Sequence, residues 1–173
     1  MDNGALFLNA LGRADGTLKR ALEGLTREEL MQQPAGPESN PIGWLAWHLT
    51  RVQDGYGSRI AGAEQVWRSQ KWYEKFGLEE TPPSYKPETV GSFDPISAEL
   101  LLAYYEAVKV ATVSHIASLS PQSWERHLPQ TDPPRPPQTV ADGVAIITSD
   151  NVQHIGQIAY VRGLIKGQGW YGV

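Results

Sequence analysis

The apolar positions in the last third of the chain recur at helical spacing, and two polar groups interrupt them. Ile147, Asp150, His154, Ile158, Val161 and Ile165 follow one another at steps of three or four residues, the period of one helix face. The aliphatic members mark that face as turned toward a core. A carboxylate and an imidazole on such a face must be ion-paired, hydrogen-bonded or metal-bound, because burying them bare is costly. Side chains four apart on a helix stand about 5–6 Å apart at Cβ, close enough to converge on one ion.

The same spacing predicts three earlier helices. The first runs from Ala5 to Leu25 on Leu8, Leu11, Leu18, Leu22 and Leu25, weakened by Gly12 and Gly16. The second starts near Pro41, a residue favoured in a first helical turn, with Asn40 as its cap. Its apolar face is Ile42, Leu45, Leu49, Val52 and Tyr56. A third begins near Ile96, after Asp94-Pro95, and carries Leu101, Tyr104, Val108 and Leu119. The fourth spans Val140 to Leu164 and stops before Gly167 and Gly169. Within it, Val144 to Thr148 also suits a short strand, with Ser149 or Asp150 capping a helix from Asn151. The unbroken stripe favours one continuous helix.

Segments 80–95 and 129–137 are rich in Pro and Ser/Thr and are read as irregular. Leu25 to Leu30 and Leu119 to Trp124 echo each other, each a short turn after an odd-numbered helix. That echo suggests two helical hairpins packed as an all-α four-helix bundle with long irregular connections. Its first and third loops are long enough to span the bundle, so simple up-down-up-down order is not required.

Length and composition narrow the class. The 173 residues, 40% hydrophobic and 20% charged, suit a single soluble domain covering 1–173. No long apolar run or basic leader is visible, so neither a membrane span nor a secretory signal is expected. A net charge of −4 offers no electrostatic footprint for nucleic acid. There is no cysteine, hence no disulfide framework and no thiolate nucleophile or ligand. A metal must be held by His, Asp, Glu or backbone oxygen, and any thiol must come from outside. The expected compartment is the cytoplasm.

His48 lies on the side of the second helix that carries Leu45, Leu49 and Val52. Two helices pointing His48, Asp150 and His154 inward make a 2-His-1-carboxylate set, the way catalytic zinc and related divalent sites are built. Gln157, on a neighbouring line, is placed to orient a ligand or substrate from behind. The alternative is that Asp150 caps a helix or pairs with Arg51 while the histidines are hydrogen-bonded core residues. His115 is read as a favourable cation near a helix carboxyl end, and His127 as solvated. Trp44, Trp47, Trp67 and Trp72 are read as core and subunit interface.

The stretch Asn40-Pro41-Ile42-Gly43-Trp44-Leu45-Ala46-Trp47-His48-Leu49-Thr50-Arg51-Val52-Gln53-Asp54, followed by Asp150-Asn151-Val152-Gln153-His154-Ile155-Gly156-Gln157-Ile158, resembles the DinB-like superfamily. That superfamily includes mycothiol-dependent maleylpyruvate isomerases and bacillithiol transferases. The resemblance extends over essentially the whole chain. It implies a four-helix bundle with a divalent metal on one His of the second helix and an (H/E/D)xxxH pair of the last. These positions fall on His48, Asp150 and His154. Asp150 stands where many members have His, which leaves zinc as the expected ion and nickel as the second. A metal-dependent thiol transferase or isomerase acting on a small electrophile follows as the expected function, with a low-molecular-weight thiol such as mycothiol as co-substrate. A non-catalytic metal- or small-molecule-binding stress protein is the alternative. A homodimer is expected, because Trp170 and Tyr171 follow the last helix among glycines and aromatics favour interface cores.

Overall fold

The computed structural model describes residues 3–83, 85–131, 136–167 and 169–171. Four long helices form the body: α1 (Asn3–Leu22), α3 (Ile42–Ala61), α7 (Ala98–Ala117) and α8 (Val140–Lys166). Between them lie the short helices α2 (Arg27–Met31), α4 (Val66–Ser69), α5 (Trp72–Lys75) and α6 (Pro87–Gly91), and a 3₁₀ turn at Pro121–Glu125. No strand forms among the described residues. Val144 to Thr148 is helical, so α8 runs unbroken through Asp150, as its stripe predicts.

Local chemistry sets the helix ends. Thr139 starts α8 with a capping box: its hydroxyl accepts from the Asp142 amide, and the Asp142 carboxylate accepts from the Thr139 amide. Thr26 does the same for α2 with Glu29. Gly62, at φ 66°, ends α3 in the left-handed conformation that glycine adopts without strain. Three expected boundaries move. The first helix ends at Leu22, leaving Leu25 buried in the turn beyond it. Asn40 does not cap α3; Pro41 holds the cap position with no side-chain hydrogen bond. The third long helix starts at Ala98, not Ile96. Asp94 Oδ1 accepts from the Ile96 amide at 2.9 Å, Ile96 takes φ 63°, and Ser97 provides the cap. The local aspartate turn wins over helical propensity there.

The bundle order also differs from paired hairpins. Helix α3 packs on α8 and α7, and α1 packs on the same two. The helices joined by the first and third connections, α1 with α3 and α7 with α8, therefore lie diagonally across the bundle. Those connections carry the chain across the bundle end, as their length permits. The consequence is that α3 and α8 lie side by side although 78 residues separate them in the chain.

Two apolar clusters fill the interior. The larger contains Leu18, Leu22, Leu30, Leu45, Trp47, Leu49, Trp67, Tyr104 and Ile158, and the smaller is built on Phe7, Leu11, Ile60, Ile116, Val140 and Ile147. Burying each large aliphatic or aromatic side chain contributes about 1.5–3 kcal/mol. Trp44, Trp47, Trp67 and Trp72 are all buried within the chain, and they form a chain of ring contacts with Phe93, Phe76 and Tyr104. Their role is core rather than subunit interface.

A buried carboxylate ties the segment after α3 to this core. Asp54, 2% exposed, accepts from the Val66 and Trp67 amides at 2.7 and 2.8 Å. It also accepts from the Tyr104 hydroxyl at 2.9 Å and the Arg51 guanidinium at 3.2 Å. Both oxygens are thus satisfied from three separate elements. Asp54→Ala would leave the Arg51 guanidinium without its counter-charge and two amides without an acceptor, and is expected to lower stability by about 3–5 kcal/mol. Urea denaturation followed by tryptophan fluorescence measures this; a loss below about 1 kcal/mol would contradict the anchoring role.

Candidate metal centre

Two neighbouring helices supply the three predicted side chains. His48 projects from the second turn of α3, and Asp150 and His154, one turn apart, from the middle of α8. His154 Nε2 stands 3.5 Å and His48 Nε2 3.7 Å from Asp150 Oδ2. One donor atom from each residue lies within 4.8 Å of the others. The imidazoles meet edge to face, with centroids 4.7 Å apart. A tetrahedral ion bound at zinc–nitrogen and zinc–oxygen lengths keeps its donors about 3.3–3.5 Å apart. The two separations from Asp150 Oδ2 are already close to that spacing, and a spread within 4.8 Å requires the donors to draw together on ligation.

The register of the two helices is held by a polar contact in the core. Asn151 Nδ2 donates to Gln53 Oε1 at 3.2 Å and to the Ile147 carbonyl at 2.9 Å, and both amides are buried. Ile147, Asn151, Ile155 and Ile158 form the deepest line of α8. Asp150 and His154 sit one step round from it, with side chains 19% and 17% exposed. The stripe through these two residues thus marks the edge of the buried face rather than its centre. That edge suits a metal site, since ligands at full depth would leave no access.

Second contacts prepare the ligands. His154 Nδ1 and Gln157 Oε1 are 2.6 Å apart. With the amide oxygen accepting, Nδ1 carries the proton and Nε2 presents its lone pair toward Asp150, the arrangement expected behind a metal-bound histidine. Asp150 Oδ1 and His48 Nδ1 are buried and have no hydrogen-bond partner among the described residues. The donors that converge are the other atoms, Asp150 Oδ2 and the two Nε2 nitrogens, and one carboxylate with two imidazoles is a donor set that suits a divalent cation. Burial raises the Asp150 carboxyl, but the hydrogen bonds and charge of His154 and His48 outweigh it and hold the group below its usual range. The Asp150 carboxylate raises the His154 imidazole, against burial, with Gln157 adding to the rise.

The three ligand positions and Gln157 are thus brought together. Asp150 neither caps a helix nor pairs with Arg51, whose charge goes to Asp54. His115 lies in the last turn of α7, outside the cluster, and His127 is exposed. Tyr85 was not anticipated. Its ring stands edge-on to His48 at 5.3 Å and to Trp44 at 5.8 Å. It lies in the irregular 80–95 segment, where no periodicity marks which residue returns to the helices.

A bundle presenting this motif pair defines a class. The DinB superfamily profile matches residues 10–158, and the chain belongs to that superfamily. It is similar over 97% of its length to a crystal structure described as the conserved protein of locus from Enterococcus faecalis, with 99% of that chain covered, 27% identity and a TM-score of 0.84. No curated protein matches the chain.

Three outcomes follow from this geometry. His154→Ala should abolish stoichiometric metal binding, whereas His115→Ala should leave it intact; elemental analysis of the two purified variants decides, and equal loss would mean the ligands are misassigned. Gln157→Ala, which removes the partner of Nδ1, should weaken metal affinity about 10–100-fold, read by competition with a chromogenic chelator.

The third concerns pH. In metal-free protein the raised His154 pKa means that its pairing stabilises fully below about pH 6.5 and is lost as pH rises through the raised value. The lowered Asp150 pKa means that its contribution is present above about pH 3.9 and lost as pH falls through the lowered value. Metal binding runs the other way, because ions compete with protons for the imidazoles. Added zinc should therefore raise the melting temperature at pH 7.5 and progressively less toward pH 5. A zinc effect that is flat with pH would remove His48 and His154 as ligands.

Proposed function

We propose that this DinB-superfamily protein is a zinc-dependent enzyme, with nickel as the alternative ion, that uses a low-molecular-weight thiol to transfer to or isomerise a small electrophile. The observation that carries the reading is the convergence of two imidazole nitrogens and one carboxylate oxygen at a half-buried edge between α3 and α8. Three protein donors on one side leave coordination positions for an outside molecule, the pattern of catalytic rather than closed structural sites. The metal would supply an electrophilic site at which a thiol ionises near neutral pH.

The chain's own residues provide the rest. Asp150 contributes one negative charge, so the donor set is less than neutralising for a divalent ion and favours binding of an anionic thiolate. Gln157 holds His154 in one tautomer and one orientation. Tyr85, edge-on to both His48 and Trp44, offers aromatic surface beside the site to a small substrate. With no cysteine in the chain, the nucleophilic sulfur is that of the co-substrate, for which mycothiol is one candidate. In transfer, the sulfur–carbon bond forms as the leaving group departs with its electron pair. In isomerisation, the sulfur adds to an activated double bond, the resulting single bond rotates, and the sulfur leaves again. The cytoplasm, where such thiols are kept reduced, is the compartment of this reading; among the described residues no helix is long and apolar enough to cross a membrane.

Elemental analysis of the purified protein, then a thiol-transfer screen against chlorodinitrobenzene and activated alkenes, tests the proposal. Turnover should require metal and an added thiol, and His48→Ala should reduce it to background. A metal-loaded protein inert with every thiol, or equally active without one, would overturn it.

The reading includes a homodimer. Val152, Tyr160 and Leu164 stand exposed on the outer side of α8, and Tyr171 beyond it, enough apolar surface to suit a self-contact. Trp170, by contrast, is half-buried against the core with Arg162 over its ring, and closes the bundle end. Sedimentation equilibrium at micromolar concentration should give twice the 19.1 kDa chain mass; a monomer would refute the dimer.

A further inference from the structure

A cavity of about 300 Å³ opens beside α3, lined by Val52, Gly55, Tyr56, Arg59, Pro82 and Tyr85 among others. It begins next to the metal centre, because Tyr85 lines it and also stands edge-on to His48. His48, Val52, Gly55 and Arg59 succeed one another at steps of four, three and four residues, so they lie along one line of α3. From His48 to Arg59 this line covers about 16 Å of helix axis. Gly55 keeps it open: a Cβ there would meet nothing closer than the Gln65 amide nitrogen at 4.0 Å.

The two arginines at this cavity differ in charge balance. Arg51 is neutralised by Asp54 at 3.2 Å. Among the described residues Arg59 is held by neutral oxygens: Nη1 donates to Gln138 Oε1 at 3.2 Å and Nη2 to the Pro129 carbonyl at 2.9 Å. Its guanidinium lies over the Tyr56 ring at 5.2 Å. Each terminal nitrogen keeps a second N–H, and no carboxylate is among the described lining residues. A positioned guanidinium that no carboxylate of the described residues faces marks a place for an anion.

We propose that this groove binds an elongated anionic molecule, its reactive end at the metal and its carboxylate or comparable anionic group at Arg59. The proposal rests on the thiol reading above for what reaches the metal, but the anion subsite is independent of it. The molecule's middle lies over Val52 and Gly55, against Tyr85 and Pro82. Selectivity is then for length as well as charge: short anions span too little of the groove, and neutral chains leave Arg59 uncompensated.

Cobalt-loaded protein titrated with mercaptooctanoate and mercaptooctanol tests this, with the thiolate-to-cobalt absorption band reporting occupancy. Wild type should bind the acid about tenfold more tightly than the alcohol. Arg59→Ala should equalise the two, and Arg59→Lys should retain part of the preference. Gly55→Leu, which fills the groove and leaves the Arg59 charge in place, should weaken both long thiols while leaving mercaptoethanol unaffected. Circular dichroism checks that each variant is folded, and Gly55→Leu decides if Arg59→Ala is not. Equal affinities in wild type, or an acid preference that survives Arg59→Ala, would overturn the proposal. If mercaptoethanol produces no cobalt band, the thiol reading fails by itself. Calorimetric titration with octanoate then decides the anion subsite: binding lost in Arg59→Ala supports it, and absent or unchanged binding overturns it.

Discussion

The register of α3 against α8 is the constraint on which the candidate site depends. His48 belongs to one helix, Asp150 and His154 to the other, and Gln53 and Asn151 are hydrogen-bonded between the same two helices in the core. A slip of one helical turn displaces a residue by about 5.4 Å along the axis, more than the whole spread of the donor set. Apolar packing alone tolerates such slips, because one aliphatic side chain replaces another at modest cost. A buried amide pair does not, since breaking it strands polar groups away from water.

The diagonal placement of successive long helices gives this contact its meaning. Had the connections been short, α1 with α3 and α7 with α8 would have paired as hairpins. The long crossings instead put α3 beside α8. The segment that leaves α3 is then drawn back onto the bundle by Asp54, whose carboxylate collects two amides, a phenol and a guanidinium. Metal centre, neighbouring cavity and Asp54 anchor all use α3, which accounts for its dense burial. Many of its residues are buried, among them the polar Thr50, Gln53 and Asp54, each of which has a hydrogen-bond partner.

Asp150 shows how a site is poised between structure and chemistry. Its two histidine neighbours hold the carboxyl ionised despite burial, and in turn it raises His154. Asp150 Oδ2 stands between the two Nε2 nitrogens. With metal the same atoms would become ligands, and protons compete with the ion for the imidazoles. The site is therefore preorganised in both states, and the exchange of proton for ion sets its pH dependence.

Helical periodicity in the sequence was sufficient for the four long helices, the all-α class and the candidate ligands, because side-chain repeat on a helix is a local geometric property. The stripe through Asp150 and His154 was legible for this reason, as was the continuity of α8 through Val144 to Thr148. Boundaries at Ile96 and Asn40 were not, because a single hydrogen bond from Asp94, or its absence at Asn40, decides them against propensity. Only the tertiary structure decided that α3 and α8 are neighbours, that Tyr85 returns from a proline-rich segment to His48, and that Arg51 goes to Asp54 while Arg59 reaches Gln138 and the Pro129 carbonyl. These depend on which loops cross the bundle and on contacts between residues far apart in the chain, and nothing in local spacing encodes them.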